Sequence, residues 1–435
     1  MKKGIVAIVG RPNVGKSSLF NRIIREKKSI VEDTPGVTRD RIYGNAEWLT
    51  REFIVIDTGG ITLKEEQFTR EIKVQAEIAM QEADVIVFVL DSQQGITNED
   101  KVVAKMLYKT KKPVVLVANK YDKKQTGVES YEYLSLGFDQ AVMVSSTHGI
   151  GIGDLLDRII NLMPKNDSNI KDDSTRIAII GRPNVGKSSL VNSLVGEERM
   201  IVSDIAGTTL DAVDTKFKYH HKEYTLIDTA GIRRKSKIYE GIEKYSYLRS
   251  LSTINNSDVV LLMIDASKNI TDQDTNIGGL AFEEKKPIII VANKWDLVKN
   301  KEEQLLKKEE EIRAYFKYLQ YAKIIFISAL DKTRISKIID SIEEIKESLS
   351  TKIKTHVLNE VLNRAQLINP APEHNGGRLK IYYANQVDAY LPTFVLFVNN
   401  PNFVHFSYKR FIENQIRLQF GFEGVPINII FRERK

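Results

Sequence analysis

The sequence predicts two α/β domains in tandem, each built on a doubly wound, mostly parallel sheet, and a small α+β domain after them. Three observations support this prediction. The ten residues GRPNVGKSSL occur twice, beginning at Gly10 and at Gly181. Matching apolar patterns accompany both copies at this spacing of about 171 residues, which is the size of a whole domain. After about Leu349 the pattern changes to a different order of elements.

Length and composition are typical of a globular protein with several domains. The chain has 435 residues, of which 42% are hydrophobic and 28% are charged, and it contains no cysteine. Disulfide and thiol chemistry are therefore excluded, which fits a reducing compartment, and we expect a cytoplasmic protein. No stretch approaches the roughly 20 apolar residues of a membrane helix. We expect no membrane partner, and we expect a monomer.

Each copy carries the same succession of buried-strand patterns. In chain order these are GIVAIVG or TRIAIIG, FIVIDTGG or YTLIDTAG, DVIVFVLD or DVVLLMID, PVVLVANKYD or PIIIVANKWD, and VMVSS or IIFISA. Runs of Val, Ile and Leu separated by polar segments of helix length predict a parallel sheet that is covered on both faces. Ligands bind such sheets at the carboxyl ends of the strands.

The rest of the chain divides into a linker and a third domain. The segment PKNDSNIKDDST is polar and has no apolar period, so we predict a linker over 164–175 between domains over 1–163 and 176–349. The pattern over 350–435 predicts the element order α-β-β-α-β. The net charge of the chain is +7, and residues 351–435 hold 11 Lys or Arg against 6 Asp or Glu. This excess permits a polyanionic partner without requiring one.

The repeated decapeptide predicts a phosphate-binding loop in each domain. It matches the pattern G-x-x-x-x-G-K-[ST], in which backbone N–H groups and a helix N-terminus surround the phosphates. Gly10 and Gly15 supply backbone conformations that a Cβ obstructs. Lys16 reaches the β- and γ-phosphates, the Ser17 hydroxyl ligates Mg²⁺, and Ser18 continues the nucleotide-binding run. The second copy repeats these assignments at Gly181, Gly186, Lys187, Ser188 and Ser189.

A second motif follows later in both copies. Asp57 and Asp228 each close an apolar strand and begin the pattern D-x-x-G. An aspartate at this position holds the metal ion, and the glycine N–H, from Gly60 or Gly231, faces the γ-phosphate. The same residue types are also common in a plain turn at a strand end. The spacing from the phosphate loop favours the functional interpretation.

The motif N-K-x-D specifies the base. The carboxylate of Asp122 or Asp296 accepts hydrogen bonds from N1–H and the exocyclic amine of guanine, a donor pair that adenine lacks. The preceding asparagine bonds the base edge, and the lysine stem lies against the ring. These residues are Asn119, Lys120, Asn293 and Lys294. One such motif is a frequent surface turn, but two of them at strand ends after phosphate loops specify GTP or GDP.

This order of motifs resembles that of the translation-factor-type GTPases, and two such domains in tandem resemble the Der (EngA) family. The resemblance covers essentially the whole chain. It implies two P-loop GTPase domains followed by a KH-like domain, with Mg²⁺-dependent hydrolysis of GTP. It also implies a role in assembling the large ribosomal subunit, with that subunit and its rRNA as partners.

The resemblance also assigns residues that spacing alone leaves open. Thr38 and Thr209 match the switch threonine, which coordinates Mg²⁺ and senses the γ-phosphate. The implied magnesium ligands are Ser17, Thr38, Asp57, Ser188, Thr209 and Asp228. The implied catalytic residues are Lys16, Thr38, Asp57, Gly60, Lys187, Thr209, Asp228 and Gly231. A fifth motif near the base matches Ser145-Ser146 and Ser328-Ala329, with serine in the first copy where alanine is usual.

The position that carries a water-orienting glutamine in many small GTPases is apolar in both copies. It is Ile61 in the first and Ile232 in the second, and neither side chain can orient water by hydrogen bonding. In related GTPases with an apolar residue here, an asparagine of the phosphate loop helps to hold K⁺ beside the phosphates, and Asn13 and Asn184 match it. The alternative is that this asparagine only shapes the loop.

The third domain has features of RNA contact and of an ordinary core. The strand aromatics Tyr382, Tyr383, Phe394 and Phe397 suit base stacking, although alternating aromatics on strands usually pack a core. The sequence GFEG at Gly421 has the G-x-x-G spacing of a KH clamp loop. Because it directly precedes the last strand, we interpret it as a helix C-cap and turn. The basic residues expected to contact folded RNA are Arg378, Lys380, Lys409, Arg410 and the terminal RERK.

The sequence therefore predicts a GTP-hydrolysing switch whose two G domains control a KH-like domain that binds RNA or protein. An alternative is a nucleotide-gated RNA- or protein-binding scaffold in which hydrolysis by one G domain is vestigial. A P-loop kinase is disfavoured by both N-K-x-D motifs and by the lack of a second-substrate site.

Overall fold

The structure, a computed structural model, describes residues 3–25, 43–58, 80, 83–110, 112–122, 129–164, 174–195, 201–202, 214–220, 222–228 and 250–434. These residues belong to two compact units. One unit holds residues 3–164 together with 250–255. The other holds residues 174–228 together with 256–434. The first therefore contains one predicted G domain, and the second contains the other G domain and the small third domain.

The first unit is built on a six-stranded sheet. Its strands are β1 (Gly4–Val9), β2 (Tyr43–Trp48), β3 (Arg51–Asp57), β4 (Val85–Asp91), β5 (Val114–Asn119) and β6 (Val142–Met143). They lie in the order β2-β3-β1-β4-β5-β6, and only the β2–β3 pair is antiparallel. The helices described here are α1 (Lys16–Arg25), α2 (Asn98–Leu107) and α3 (Ile152–Leu162).

The second unit contains a seven-stranded sheet of the same kind. Its strands are β7 (Thr175–Ile180), β8 (Ile201–Val202), β9 (Thr215–Tyr219), β10 (Lys222–Leu226), β11 (Val259–Asp265), β12 (Ile288–Asn293) and β13 (Lys323–Phe326). They lie in the order β8-β9-β10-β7-β11-β12-β13, and β8–β9 and β9–β10 are antiparallel. Its helices are α4 (Lys187–Val195), α5 (Asp272–Glu283), α6 (Lys301–Tyr315) and α7 (Ser336–Ser350).

The apolar patterns of the sequence form the parallel strands of both sheets. Strands β4 and β11 are buried at every position, which requires an apolar residue on both faces. The antiparallel strands β2, β8 and β9 are not predicted by these patterns. In β9 the sequence TKFKY alternates polar with aromatic residues and does not form an apolar run. Thr175, the last residue of the predicted linker, is the first residue of β7.

The third domain has the predicted order of elements, with one addition. It consists of α8 (Thr355–Ile368), β16 (Ile381–Val387), β17 (Thr393–Val398), α9 (Phe406–Phe420) and β18 (Asn428–Glu433). A short hairpin of β14 (Glu373–His374) and β15 (Gly377–Arg378) precedes β16. The sheet order is β16-β17-β18, with β16 antiparallel and β18 parallel to β17. Leu358, Phe394 and Ile412 lie in its core.

The phosphate loops leave the sheets where the strand order reverses. β1 lies between β3 and β4, and β7 lies between β10 and β11. Chain segments that leave the two sides in opposite directions open a crevice at the carboxyl ends of the strands. Ile8 pairs with Asp57 and Val9 with Phe88, so the loop after Val9 and the end of β3 emerge at the same edge.

Candidate nucleotide-binding sites

The first glycine of each phosphate loop passes close to a neighbouring strand. A Cβ on Gly10 would lie 2.4 Å from the carbonyl oxygen of Val89 in β4. A Cβ on Gly181 would lie 2.4 Å from the carbonyl oxygen of Met263 in β11. No residue with a side chain fits at this distance, so the motif glycine is required by close packing of the loop on the sheet.

The lysine side chain of each phosphate loop folds back onto the backbone of the same loop. Lys16 Nζ donates to the carbonyl oxygens of Gly10 at 2.6 Å and Arg11 at 2.8 Å. Lys187 Nζ makes the same two contacts in its loop, at 2.6 and 2.7 Å. The ammonium groups therefore lie at the mouth of the loop whose backbone is expected to surround the phosphates.

Four serines follow these lysines at the start of a helix. Because Lys16 and Lys187 are the first residues of α1 and α4, the serines belong to the first helical turn, where backbone N–H groups have no partner within the helix. A helix N-terminus of this kind favours an anion. The four residues, all exposed, are Ser17, Ser18, Ser188 and Ser189.

The asparagine of N-K-x-D joins the phosphate loop to the fifth motif. Asn119 is buried, its Nδ2 donates to the Val14 carbonyl at 2.9 Å, and its Oδ1 accepts from the Ser146 N–H at 3.1 Å. Asn293 makes the equivalent bonds to Val185 and to the Ala329 N–H, both at 2.9 Å. The fifth motif makes this contact through a backbone N–H. Ser146 in the first copy and Ala329 in the second therefore donate the same hydrogen bond to the asparagine.

The lysine of N-K-x-D has a partner that the sequence patterns do not reveal. Lys120 Nζ lies 2.7 Å from Asp91 Oδ2, and Lys294 Nζ lies 2.7 Å from Asp265 Oδ2. Both aspartates are buried at the last residue of a central strand. The only sequence signal for them is that FVLD and LMID end alike in both copies.

Asp265 remains ionised although it is buried. Burial raises the pKa of its carboxyl, but hydrogen bonds from Lys294 and from Ser267 outweigh burial and leave the pKa below its usual value. The stability that this carboxylate contributes is therefore present above its unfolded pKa and lost as the pH falls through the lower folded value. Near neutral pH the lysine is held by a full negative charge.

The aspartates of N-K-x-D differ between the copies. Asp122 Oδ1 accepts a hydrogen bond from Ser145 Oγ at 2.6 Å, and His148 Nε2 lies 4.0 Å away. Asp296 Oδ1 is buried and makes no hydrogen bond to any described residue. The Ser328 hydroxyl accepts from the Asp331 N–H at 3.1 Å, as the Ser145 hydroxyl accepts from the His148 N–H at 3.2 Å, so the copies differ only in the bond to the aspartate.

The aspartates of D-x-x-G also differ. Asp57 is the buried last residue of β3, as the sequence predicts. Asp228 does not close its strand, because β10 ends at Leu226 and Asp228 lies in a turn with φ of 56°. Its N–H donates to Asp214 Oδ1 at 2.9 Å.

Several assigned residues lie outside the described part of the chain. They are Thr38, Gly60, Ile61, Thr209, Gly231 and Ile232. Within the described residues, no group of three or more His, Asp or Glu is arranged to hold a metal ion. No helix among them is long and apolar enough to cross a bilayer.

The strand aromatics of the third domain divide between core and surface. Phe394 is fully buried and Phe397 is half-buried. Tyr382 and Tyr383 are 41% and 46% exposed. Lys380 Nζ and Arg434 Cζ each lie 5.3 Å from the centroid of the Tyr382 ring. The core explanation therefore holds for Phe394, and the two tyrosines lie on a basic part of the surface.

The GFEG sequence forms a docking loop on the second G domain. Gly421 caps α9 with φ of 84°, in agreement with the predicted C-cap. The Gly424 N–H donates to the Tyr321 carbonyl at 2.6 Å, and the Gly424 carbonyl accepts from the Ile288 N–H at 3.0 Å. Val425 is buried in the core of the second G domain. This loop is therefore occupied by protein contacts and does not offer a free KH-type clamp.

Exchanging Gly424 for Ala is expected to destabilise this contact strongly. Gly424 has φ of +75°, and a Cβ there would lie 2.7 Å from Ile345 Cγ1. We expect the free energy of unfolding of this unit to fall by about 2–4 kcal/mol, since overpacking adds to backbone strain.

Gly421→Ala is the matched control, because Gly421 has φ of +84° but no atom within 4 Å of a built Cβ. It is expected to cost about 1 kcal/mol from backbone strain alone. The chain has two tryptophans, so a Trp48→Phe background lets the fluorescence of the buried Trp295 follow denaturation of the second G domain. Equal costs for the two alanine substitutions would contradict the docking contact.

The fold and these loops together define a class of protein. A doubly wound sheet with a phosphate loop at the strand reversal, and an N-K-x-D motif at the end of the second strand beyond it, is the arrangement of a P-loop GTPase. This chain has two such G domains, each with its own lysine-bearing loop and its own N-K-x-D motif.

Comparison with known proteins gives the family. The family model described as 50S ribosome-binding GTPase matches residues 5–120 and 176–294, and the model of the KH-domain-like C-terminal domain of EngA bacterial GTPases matches residues 352–432. GTPase Der of Mesoplasma florum is 76% identical, that of Mycoplasma capricolum 72%, and that of Bacillus cereus 53%. Each match spans 435 residues and all of both chains. The chain belongs to the GTPase Der family of GTP-hydrolysing enzymes, which confirms the predicted family, the fold class and the hydrolysis of GTP.

Proposed function

We propose that both G domains are working GTP sites and that their nucleotide state controls attachment of the chain to the large ribosomal subunit and its rRNA. The observation that carries this proposal is the duplication of contacts. The phosphate-loop lysine, the bracing asparagine and the aspartate-bound lysine have nearly identical distances in both copies. A G domain that had lost GTP binding would not be expected to retain all three contacts.

The phosphate end of each site fits GTP with Mg²⁺. Lys16 and Lys187 bind the β- and γ-phosphates together with the N–H groups of the first helical turn. Mg²⁺ prefers hard oxygen ligands, and Ser17 with Asp57 supplies a hydroxyl and a carboxylate at the same edge of the sheet. Bound Mg²⁺ neutralises phosphate charge. The full proposed ligand set is Ser17, Thr38, Asp57, Ser188, Thr209 and Asp228.

The base end reads guanine through the carboxylates of Asp122 and Asp296. We assign Asn119 and Asn293 a bracing role, which is supported by the hydrogen bonds of their amides to the phosphate loop and the fifth motif. Lys120 and Lys294, fixed by Asp91 and Asp265, present their stems to the ring face. Base and phosphates are thus bound by loops that share hydrogen bonds.

Hydrolysis is proposed to depend on K⁺ held at Asn13 and Asn184. Both residues are exposed on the loop and have a left-handed backbone, with φ of 66° and 65°. We expect GTP turnover in KCl to exceed that in NaCl by about tenfold, because a cation beside the phosphates offsets charge that develops in the transition state. Asn13→Ala with Asn184→Ala should remove the difference. Equal turnover of the unaltered chain in the two salts would rule out the potassium site.

The ribosomal partner is proposed from the family description and from surface charge. The matched family is described as 50S ribosome-binding GTPase. In the third domain Arg378, Lys380 and Arg410 are exposed and Lys409 is half-buried, so basic groups are available for RNA phosphates. Salt should therefore weaken the attachment.

Co-sedimentation with purified large subunits tests this proposal. We expect the chain to sediment with the subunit in the presence of a non-hydrolysable GTP analogue and to be released in GDP. Binding in neither state, or equally in both, would contradict nucleotide-controlled attachment.

Separate Lys16→Ala and Lys187→Ala variants distinguish a switch from a nucleotide-gated scaffold. In a switch, loss of turnover in either domain changes release of the subunit. In a scaffold with one vestigial G domain, one of the two variants leaves both turnover and release unchanged, while subunit binding still depends on nucleotide occupancy.

A further inference from the structure

Each phosphate loop carries an arginine whose side chain turns into the protein. Arg11 and Arg182 follow the first glycine of their loops, yet their side chains are only 10% and 18% exposed. A buried arginine in a surface loop is unusual unless its charge is paired. A negatively charged partner is therefore expected beside each of these two guanidinium groups.

The partner in each case is a buried aspartate. Arg11 Nε lies 3.4 Å from Asp100 Oδ2, and Arg182 Nε lies 3.2 Å from Asp274 Oδ1. The aspartate side chains are 0% and 1% exposed. The pair forms in both G domains although the sequence separation differs, with 89 residues in the first and 92 in the second. The same contact is thus kept across repeats of unequal length.

Each aspartate is also held by hydrogen bonds that do not involve the arginine. Asp100 Oδ2 accepts from the Thr97 N–H at 3.0 Å and from Thr97 Oγ1 at 2.8 Å, at the N-terminus of α2. Asp274 Oδ2 accepts the same pair of bonds from Thr271, at 3.0 and 2.9 Å, at the start of α5. A carboxylate in the first turn is also favoured by the helix dipole.

The arginine backbone is in turn held by the loop lysine. The Arg11 carbonyl accepts from Lys16 Nζ at 2.8 Å, and the Arg182 carbonyl accepts from Lys187 Nζ at 2.7 Å. Each arginine is therefore fixed at its side chain by a helix of the sheet scaffold and at its carbonyl by the group that meets the phosphates. A shift of the arginine moves the lysine contact with it.

We propose that the Arg11–Asp100 and Arg182–Asp274 pairs are positioning elements that hold each phosphate loop in its phosphate-binding form. They act on the phosphates through the loop backbone and the lysine, and they do not touch the base. This inference rests on GTP binding by the two loops. Its specific consequence is that loss of a pair weakens binding of the phosphates without weakening recognition of guanine.

Asp100→Asn and Asp274→Asn test the proposal, since each substitution removes the charge and keeps the shape of the threonine cap. We expect GDP affinity of the altered domain to fall by about 10- to 100-fold, as when outer positioning groups are removed from a site. Guanosine affinity, measured by NMR titration, should stay within about twofold, because guanosine lacks phosphates. Arg11→Lys should retain part of the GDP affinity by keeping the charge.

Arg158→Gln is the matched control, because Arg158 forms an ion pair with Asp139 in the same unit at 3.3 Å but away from the loop. It should leave GDP and guanosine affinity unchanged. Equal losses of GDP and guanosine affinity in Asp100→Asn would show a merely structural role and overturn the proposal, as would unchanged GDP affinity. Failure of the unaltered chain to bind GDP would instead contradict the proposed nucleotide sites themselves. Failure of the positioning proposal and failure of the proposed function can therefore be distinguished.

Discussion

Exchanging Asp122 for Asn is expected to convert the first G domain from a guanine site to a xanthine site. The carboxylate accepts two hydrogen bonds from guanine, whereas an amide accepts one and donates one. Xanthine carries a carbonyl where guanine carries the exocyclic amine, so it matches the amide. We expect GTP affinity at this site to fall by about 100-fold or more, because the amide donor then faces the exocyclic amine of guanine without an acceptor, and XTP to bind in its place.

Asp296→Asn is the internal control for this exchange, since it should convert the second domain alone. Fluorescent GDP and XDP titrations of both variants, and of the double variant, assign each binding event to one domain. The double variant should bind XDP at two sites and GDP at neither. Undiminished GDP binding by the double variant would show that these aspartates do not read the base.

Gly15→Ala is expected to abolish nucleotide binding by the first G domain. Gly15 has φ of +90°, and a Cβ there would lie 2.3 Å from Asn119 Nδ2. Asn119 would have to give up its hydrogen bonds to the Val14 carbonyl and the Ser146 N–H. One added methyl group therefore disturbs both the phosphate loop and the N-K-x-D loop. We expect GDP affinity to fall by more than about 100-fold, since strain and lost hydrogen bonds act together.

Gly153→Ala is the matched control in the same domain. Gly153 lies in α3 with an ordinary backbone, and the nearest atom to a built Cβ is 3.8 Å away. Alanine there should leave binding unchanged and stabilise the helix by about 1 kcal/mol. Gly186→Ala should affect only the second domain, where the Cβ would lie 2.2 Å from Asn293 Nδ2. Normal GDP binding by Gly15→Ala would contradict the conclusion that Asn119 holds the phosphate loop and the N-K-x-D loop together.

Most of the fold could be predicted from the sequence because buried parallel strands have a strong signal. β4 and β11 are apolar at almost every position, and each is followed by a polar segment that fits a helix. The antiparallel strands β2, β8 and β9 have no such signal, because their residues form no long apolar run; in β9 polar residues alternate with aromatic ones, although its partner β10 follows directly in the chain. They are therefore found only in the structure.

The site was predictable to the extent that its residues are close together in sequence. The phosphate loop and N-K-x-D are short motifs with fixed spacing, so the sequence alone indicates their positions in each copy. The supporting contacts join residues far apart in the chain, such as Lys120 with Asp91 and Arg11 with Asp100. Nothing in local spacing indicates such pairs, because they depend on which strands become neighbours.

The two copies are alike in their supporting contacts and different in their details. Ser145 donates a hydrogen bond to the Asp122 carboxylate of the first domain, while the corresponding Asp296 oxygen has no such bond among the described residues. Asp57 closes a strand, while Asp228 lies in a turn. These differences lie at the N-K-x-D and D-x-x-G motifs, so we expect the domains to differ in affinity and turnover while both remain functional.

The central claim is that one chain contains two working guanine nucleotide sites. Isothermal titration of the full-length protein with GDP and Mg²⁺ measures this most directly, because the stoichiometry does not depend on a label. Two GDP molecules should bind each chain, falling to one in Asp122→Asn or in Asp296→Asn. A stoichiometry of one for the unaltered chain would show that one G domain has lost nucleotide binding, and the account of a double switch would be wrong.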